Sequence, residues 1–84
     1  THTHVQTADE CILDGHTAYI TDAGMTGPEI SCLGVDVKPV VDMLRFRMPA
    51  RFKEADGKCF LCGVVTEFDE KSGKSHKIER LIIK

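Results

Sequence analysis

The alternation of apolar and polar residues predicts strands and loops in the first third of the chain. Residues 1–8 alternate and are rich in Thr and Val, which is typical of the end of a strand. Asp14-Gly15 is a turn signal, and residues 17–21 read as a short strand after it. Two glycines and a proline within residues 22–28 then predict a loop.

A single helix is predicted in the middle of the chain, over about 36–47. Four apolar residues fall at positions i, i+3, i+4 and i+7 of a helix, namely Val37, Val40, Val41 and Leu44. Asp36 is a suitable N-cap residue, and Pro49 ends the pattern. We expect this apolar stripe to face a core.

Three strands are predicted after the helix, over about 50–54, 59–68 and 76–83, and they form an antiparallel meander. Asp56-Gly57 is expected to turn the first pair of strands, and residues 69–74 the second. On the central strand four residues are expected to share a core-facing side, namely Phe60, Cys62, Val64 and Phe68. The predicted fold class is α/β, with one helix and a C-terminal antiparallel β meander.

The size of the chain limits what it can build. Its 84 residues are 42% apolar, with four Phe, one Tyr and no Trp, so it forms one domain at most, with a small core. No apolar run approaches the length of a membrane span, and no secretory signal is visible. The first residue is Thr1 and not Met, so we expect a processed chain or a piece of a longer one.

Charge is divided unevenly between the two halves. Residues 1–42 carry one base and seven acids, whereas residues 43–84 carry ten bases and six acids. Two complementary faces that attract each other are one interpretation. The alternative is a nucleic-acid footprint, which needs a concentrated basic patch with stacking aromatics. The four bases near Phe46 and Phe52 are a weak signal of that kind, so no nucleic-acid partner is predicted.

The four cysteines, Cys11, Cys32, Cys59 and Cys62, allow disulfides, a metal site or buried thiols. The pair Cys59 and Cys62 has zinc-knuckle spacing, but it lies on a predicted strand, where residues i and i+3 point to opposite faces. No secretory context favours disulfides. Small buried thiols are therefore the preferred interpretation.

His2-Thr3-His4 is the first candidate for chemistry. On an extended segment residues i and i+2 project from the same face, so the two imidazoles suit two ligands of one metal, or one ligand to each of two metals. The alternative is two solvated histidines at a frayed end or in a tag remnant. His16 and His76 lie in predicted turns and are expected to face solvent.

The residues that follow this pair resemble one family. The run THTHVQTADE, then Ile12-Leu13, then GHTAYITDAGMTGP over residues 15–28 is similar to the C-terminal third of the YmdB-like metallophosphoesterases of the calcineurin-like superfamily. The visible departures are an inserted-looking His16 and Ala23. The resemblance continues more loosely through ARF, LCGVV and the final EKSGK and IER segments, and so covers essentially the whole chain.

The resemblance implies a fold, an activity and a metal site. The chain would be the C-terminal part of a two-sheet sandwich flanked by helices, a segment of a single metallophosphoesterase domain over residues 1–84. By resemblance His4 would bind the first and His2 the second of two divalent metal ions, with iron or manganese expected. The family looks like phosphodiesterases that act on small phosphodiesters such as 2′,3′-cyclic nucleotides. We further expect a cytoplasmic homo-oligomer without a membrane partner.

The same resemblance implies that the chain is incomplete as an enzyme. The family's other ligands, an Asp, a Glu-Asn pair, a further Asn and another His, lie upstream of its H-T-H motif, whereas this sequence begins at Thr1. Two imidazoles are too few for a catalytic pair of metals. We therefore expect these 84 residues alone to be inactive, as a fragment of an enzyme about three times longer.

Two further features are candidates for the site. Asp9 either orients a metal-binding histidine through its carboxylate or serves as a turn or cap residue. The loop Gly24, Met25, Thr26 and Gly27 either borders the substrate, with backbone N–H groups that face phosphate, or is a tight structural loop or subunit contact. No residue is assigned a catalytic role beyond metal binding.

Two other classes of function stay open at this point. The chain could be a non-enzymatic β-rich interaction or zinc-binding module that uses Cys59 and Cys62, or an oligomerisation segment whose meander pairs with another chain. Neither needs His2 and His4 inside the THTHVQTADE run, so that run favours the phosphodiesterase hypothesis.

Overall fold

Five strands and one helix make up the regular structure of the chain, which a computed structural model describes from Thr1 to Lys84. In order these are β1 (Cys11–Leu13), β2 (Thr17–Tyr19), β3 (Gly27–Pro28), α1 (Val37–Phe46), β4 (Cys59–Phe68) and β5 (Ser75–Ile83). Two compact units divide the chain: the first consists of Thr1–Met25 and Leu61–Lys84, and the second of Thr26–Phe60. The mixed α/β class and the single helix are as predicted.

A short hairpin opens the regular structure of the first unit. β1 pairs antiparallel with β2, with Leu13 opposite Thr17. Asp14 and Gly15 both have positive φ, of 50° and 72°, and the His16 N–H donates to the Leu13 carbonyl at 3.0 Å. This is the turn geometry that Asp-Gly favours between twisted strands. The predicted turn and second strand are confirmed, whereas β1 was not predicted.

A longer hairpin supplies the C-terminal part of the first unit, from Leu61 onward. β4 pairs antiparallel with β5, with Leu61 opposite Ile83, and the register shifts between Glu67 and Phe68. In the turn after β4 the Asp69 carboxylate accepts the N–H groups of Lys71 at 3.0 Å and Ser72 at 2.7 Å. The last two strands of the predicted meander are therefore confirmed.

The predicted core face of β4 holds only in part. Phe60, Cys62 and Val64 are half-buried, and Leu61 and Val65 between or beside them are exposed. Phe68 lies beyond the register shift and is 58% exposed. A shifted register changes which face the following side chain occupies, so the expectation for Phe68 was wrong.

In the second unit the helix has the predicted position but not the predicted cap. Asp36 occupies the N-cap position without a side-chain capping bond; its carboxylate lies 3.4 Å from the Lys53 ammonium instead. The helix ends at Phe46 because Arg47 adopts a left-handed conformation with φ of 54°. At ten residues α1 falls short of a bilayer's thickness, and the structure contains no helix long and apolar enough to span one.

The first strand of the predicted meander is absent. Of residues 50–54 only Glu54 makes a β-bridge, to Val35. β4 instead begins beside β3, with Gly27 opposite Phe60 and Pro28 opposite Cys59. Asp56-Gly57 therefore does not join two paired strands, and that prediction was wrong.

Burial in the chain is unusual because no apolar side chain is fully buried. Val41 and Leu44 of the α1 stripe are 49% and 70% exposed, so the stripe does not face a core within these residues. None of the four cysteines forms a disulfide, and none is fully buried. The buried residues are Asp22, at 4% exposure, and Gly24.

Candidate functional site

The segment that carries His2 and His4 is a bend and not a strand. Residues 1–8 pair with no strand, and Thr3 to Val5 curve sharply. His4 has a φ of 65°, in the left-handed region that few non-glycine residues occupy. The predicted extended segment, with both imidazoles on one strand face, was therefore wrong.

The buried carboxylate of Asp22 accounts for the bend. Its Oδ2 accepts the backbone N–H of His2 at 3.1 Å, the N–H of Thr3 at 2.7 Å and the Thr3 hydroxyl at 2.7 Å. Its Oδ1 accepts the Gly24 N–H at 2.8 Å. A buried carboxylate is costly unless its oxygens are satisfied, and four donors satisfy this one. Sequence reasoning missed Asp22 because an aspartate among glycines looks like an ordinary turn residue.

These hydrogen bonds also hold Asp22 in its ionised form. Burial by itself raises the pKa of the Asp22 carboxyl, but the bonds donated by Gly24 and Thr3 outweigh burial and hold the pKa well below its ordinary value. A fixed negative charge therefore lies directly behind the backbone of the histidine pair.

Hydrogen bonds also hold the segment after His4 in place. The Gln6 amide nitrogen lies 2.9 Å from the Gly63 carbonyl and 3.1 Å from the Ala23 carbonyl. The Thr7 N–H donates to the Asp22 carbonyl at 3.0 Å, and the Asp22 N–H donates to the Thr7 hydroxyl at 3.0 Å. Residues on both sides of His4 are thus anchored.

The imidazole rings of His2 and His4 take no part in these contacts. His2 is exposed and His4 is half-buried, and their hydrogen bonds use backbone atoms, the His2 N–H and the His4 carbonyl. In contrast, His16 Nδ1 lies 2.7 Å from the Asp14 carbonyl, and His76 Nε2 lies 3.3 Å from Glu67. Imidazole nitrogens that make no other contact are suited to metal binding. No group of three or more His, Cys, Asp or Glu in this chain could hold a metal, so the two imidazoles could supply only part of a ligand set.

Asp9 bonds to threonines and not to a histidine. Its carboxylate accepts the hydroxyl of Thr7 at 2.5 Å, and the hydroxyl and N–H of Thr21. The hydrogen bonds from Thr21 and then Thr7 lower the pKa of Asp9 to about 2. In this structure Asp9 therefore fastens the segment after the histidines to Thr21, as a turn or cap residue does.

The substrate-loop candidates Gly24 to Gly27 are occupied by structural contacts. The Gly24 N–H donates to Asp22, and the Met25 N–H donates to the His4 carbonyl at 3.2 Å. Gly27 belongs to β3, and Thr26 begins the second unit. The N–H groups of Gly24 and Met25 therefore do not face phosphate as expected, although contact of this loop with substrate stays a prediction.

The cysteine alternative does not fit the geometry. Cys59 and Cys62 lie three positions apart on β4, and the Cys59 thiol lies 3.7 Å from the Gly57 carbonyl. Neighbouring strand positions point to opposite faces, and no third metal-binding side chain joins these cysteines. A zinc module built on this pair is therefore disfavoured.

An ion pair joins oppositely charged residues from the two halves of the sequence. Arg80 Nε lies 2.9 Å from Glu10 Oε2, and the Arg80 hydrogen bond lowers the pKa of Glu10. The pair lies within the first unit. It supports the interpretation that the unequal charges attract each other locally.

Known proteins resemble this chain over nearly all of its length. Residues 1–81 match the family described as YmdB-like protein. A 2′,3′-cyclic-nucleotide 2′-phosphodiesterase from Bacillus subtilis (strain 168) is 51% identical over 83 residues, which cover 99% of this chain and 31% of that protein.

Two solved structures share the fold. A novel phosphatase from Mycoplasma pneumoniae matches with a TM-score of 0.89 and 34% identity, over 99% of this chain and 30% of that one. A hypothetical protein from Thermus thermophilus matches with a TM-score of 0.80 and 34% identity, over 99% of this chain and 32% of that one. The chain thus spans about a third of the length of the relatives that it matches.

Proposed function

The chain belongs to the YmdB-like protein family, and from that premise we propose that it forms part of a dinuclear-metal-dependent phosphodiesterase that hydrolyses phosphodiesters such as 2′,3′-cyclic nucleotides. The observation that carries this proposal is the 51% identity, over 99% of the chain, to a protein named as such a phosphodiesterase. The whole protein, and not these residues alone, would be the enzyme.

His2 and His4 are the metal ligands in this proposal. Three features of the structure support the assignment. The hydrogen bonds of His2 and His4 use backbone atoms and leave the rings available, His4 lies on an anchored bend with His2 next to it, and the Asp22 carboxylate accepts backbone N–H groups of that segment. A neutral imidazole offers one ring nitrogen to a metal. The remaining ligands would come from residues outside this sequence.

The metal chemistry would be that of a two-metal site. When bound, two divalent ions would activate a water molecule and neutralise negative charge on a phosphodiester. This chain's own residues would contribute two imidazole donors in a fixed geometry. Iron or manganese as the metal, a cytoplasmic location and a homo-oligomeric assembly stay predictions from the sequence.

The test is metal content and turnover of the full natural protein that carries this sequence. His4→Ala should remove most of the phosphodiesterase activity on bis-p-nitrophenyl phosphate and on a 2′,3′-cyclic nucleotide, and it should lower the metal stoichiometry. The fold should persist, because a half-buried ring is lost without a change to any hydrogen bond. Metal analysis and circular dichroism on the same preparations measure both effects.

Two variants serve as controls for that experiment. His76→Ala removes an exposed histidine from the β5 edge, and Cys59→Ser alters the thiol of the alternative zinc pair; both should keep full metal content and activity. If Cys59→Ser strips zinc while His4→Ala changes nothing, the zinc-binding module replaces the phosphodiesterase as the better hypothesis.

A further inference from the structure

Asp22 makes more contacts with the histidine segment than its own loop requires. An aspartate that only closes its turn needs the bond from Gly24, two residues on, to Oδ1. Oδ2 instead gathers three donors from His2 and Thr3, some twenty residues earlier in the chain. Asp22 itself is 4% exposed, while its bonds to His2 and Thr3 are part-buried. Charge-assisted hydrogen bonds to a shielded carboxylate are strong and directional.

Asp22 contacts residues on both sides of His4 in the sequence. Before His4, the backbone N–H groups of His2 and Thr3 donate to the Asp22 carboxylate. After it, Thr7 forms hydrogen bonds with the Asp22 backbone through both its own backbone and its hydroxyl. The His4 carbonyl itself accepts the Met25 N–H at 3.2 Å. A left-handed φ at a non-glycine residue persists only where its surroundings enforce it, and these contacts enforce it at His4.

We propose that Asp22 is the positioning residue of the metal site: its buried carboxylate fixes the backbone bend from which His2 and His4 project, and so sets the geometry in which they bind metal. This inference rests on the proposed function. Asp22 acts through the backbone of its neighbours, and it leaves all four ring nitrogens of His2 and His4 free.

Asparagine is the informative replacement because it keeps the shape of Asp22. One of its two side-chain positions is an NH₂ group, which donates and cannot accept. That group must face either the Gly24 N–H or the cluster of donors from His2 and Thr3. In Asp22→Asn the side-chain NH₂ group would therefore face another N–H or O–H donor on one side of the bend, and the substitution adds no bulk.

The experiment compares Asp22→Asn with wild type in the full natural protein. Loss of a partner that orients a ligand typically costs about 10- to 100-fold in metal affinity or activity. We expect Mn²⁺ affinity, followed by electron paramagnetic resonance, and kcat to fall by that factor, with KM changed less. Asp69→Asn is the matched control, because it neutralises a carboxylate that accepts two backbone N–H groups in the turn between β4 and β5. It should change neither the Mn²⁺ affinity nor kcat.

A second variant keeps the test decisive if Asp22→Asn does not fold. Thr3→Val removes the hydroxyl bond at 2.7 Å and preserves the side-chain shape. We expect it to lower Mn²⁺ affinity less than Asp22→Asn does. Wild-type affinity and kcat in a folded Asp22→Asn protein, or in Thr3→Val where Asp22→Asn is unfolded, would overturn the inference.

Failure of the proposed function gives a different pattern. In that case the wild-type protein neither binds Mn²⁺ nor cleaves the phosphodiesters. The positioning role is then decided by the imidazole ¹H–¹⁵N signals in Thr3→Val: shifts at His2 and His4, with none at His16 and His76, support it. Unshifted signals at His2 and His4 overturn it.

Discussion

Carboxylates impose much of the local order around the histidine pair. Asp22 holds the bend before His4, and Asp9 holds the segment after it to Thr21. Each accepts bonds from hydroxyl and backbone donors, which favour the ionised carboxylate, and each therefore has a lowered pKa. The protein should accordingly lose stability in acid as these groups are forced to protonate.

Thr21→Val tests this electrostatic argument at Asp9. The Thr21 hydroxyl is the largest cause of the lowered pKa, so its removal should raise the Asp9 pKa from about 2 toward 3.8. Because the pKa is lowered by folding, the stabilisation is complete above pH 3.8 and disappears as the pH falls toward 2. The difference in unfolding free energy between wild type and Thr21→Val should therefore shrink over that interval.

The measurement is a carbon-13 titration of the Asp9 carboxyl in the full natural protein, with urea unfolding at several pH values. Thr66→Val is the matched control, since Thr66 is an exposed threonine on β4 that makes no contact with Asp9. An unchanged Asp9 pKa in Thr21→Val would contradict the assigned cause.

Close packing between segments adds to these polar contacts at Gly24. A Cβ atom built at Gly24 would lie 2.9 Å from the Cys62 Cβ and 3.0 Å from both Cβ and N of Gln6. Gly24 also has a φ of 83°. Only glycine combines this conformation with this space, so Gly24 permits the close approach of its loop to β4 and to the segment after His4.

Gly24→Ala should therefore destabilise the protein through two separate effects. A left-handed φ costs an alanine about 1–2 kcal/mol, and overpacking costs about 1–3 kcal/mol more. Gly15→Ala isolates the cost of the left-handed φ, because Gly15 has a φ of 72° and an added Cβ there would meet no atom within 4 Å. Urea unfolding of the full natural protein should show a clearly larger loss for Gly24→Ala; equal losses would mean that the contacts with Cys62 and Gln6 relax at little cost.

Elements with a strong period could be predicted from the sequence, and short or non-local ones could not. The α1 stripe and the alternation of β4 and β5 placed those elements correctly. β3 has only two residues, Gly27 and Pro28, and carries no period. Residues 50–54 alternate like a strand, but pairing depends on a partner, and β3 occupies the start of β4 instead.

The candidate site shows the same limit more sharply. The motif of His2 and His4 was visible in the sequence, and so was the turn at Asp14-Gly15. The bend could not be predicted, because the Asp22 carboxylate that causes it lies some twenty residues away in the sequence. Its hydrogen bonds override the strand-like Thr and Val pattern of residues 1–8. Local propensity is a weak predictor where one buried charge gathers several backbone donors.

The distribution of apolar surface sets the stability of these 84 residues taken alone. Fixing each residue costs about 1–2 kcal/mol of conformational entropy, and hydrophobic burial is the main term that offsets it. No apolar side chain here is fully buried, and large ones such as Ile30, Leu44 and Met48 are 82%, 70% and 65% exposed. The hydrogen-bonded hairpins and the Asp22 cluster cannot replace a core, because a hydrogen bond contributes only about 0.5–1.5 kcal/mol net.

A polypeptide of only these 84 residues should therefore unfold without a sharp transition and should bind hydrophobic dyes. It should also bind Mn²⁺ weakly and hydrolyse neither bis-p-nitrophenyl phosphate nor a 2′,3′-cyclic nucleotide, since its residues form no group of three or more metal-binding side chains. Calorimetry, dye fluorescence and the two assays measure this, with the full natural protein as the positive control. A cooperative transition together with turnover of roughly 1 per second or faster would show that the site is complete within these residues and that exposed apolar surface does not limit their folding.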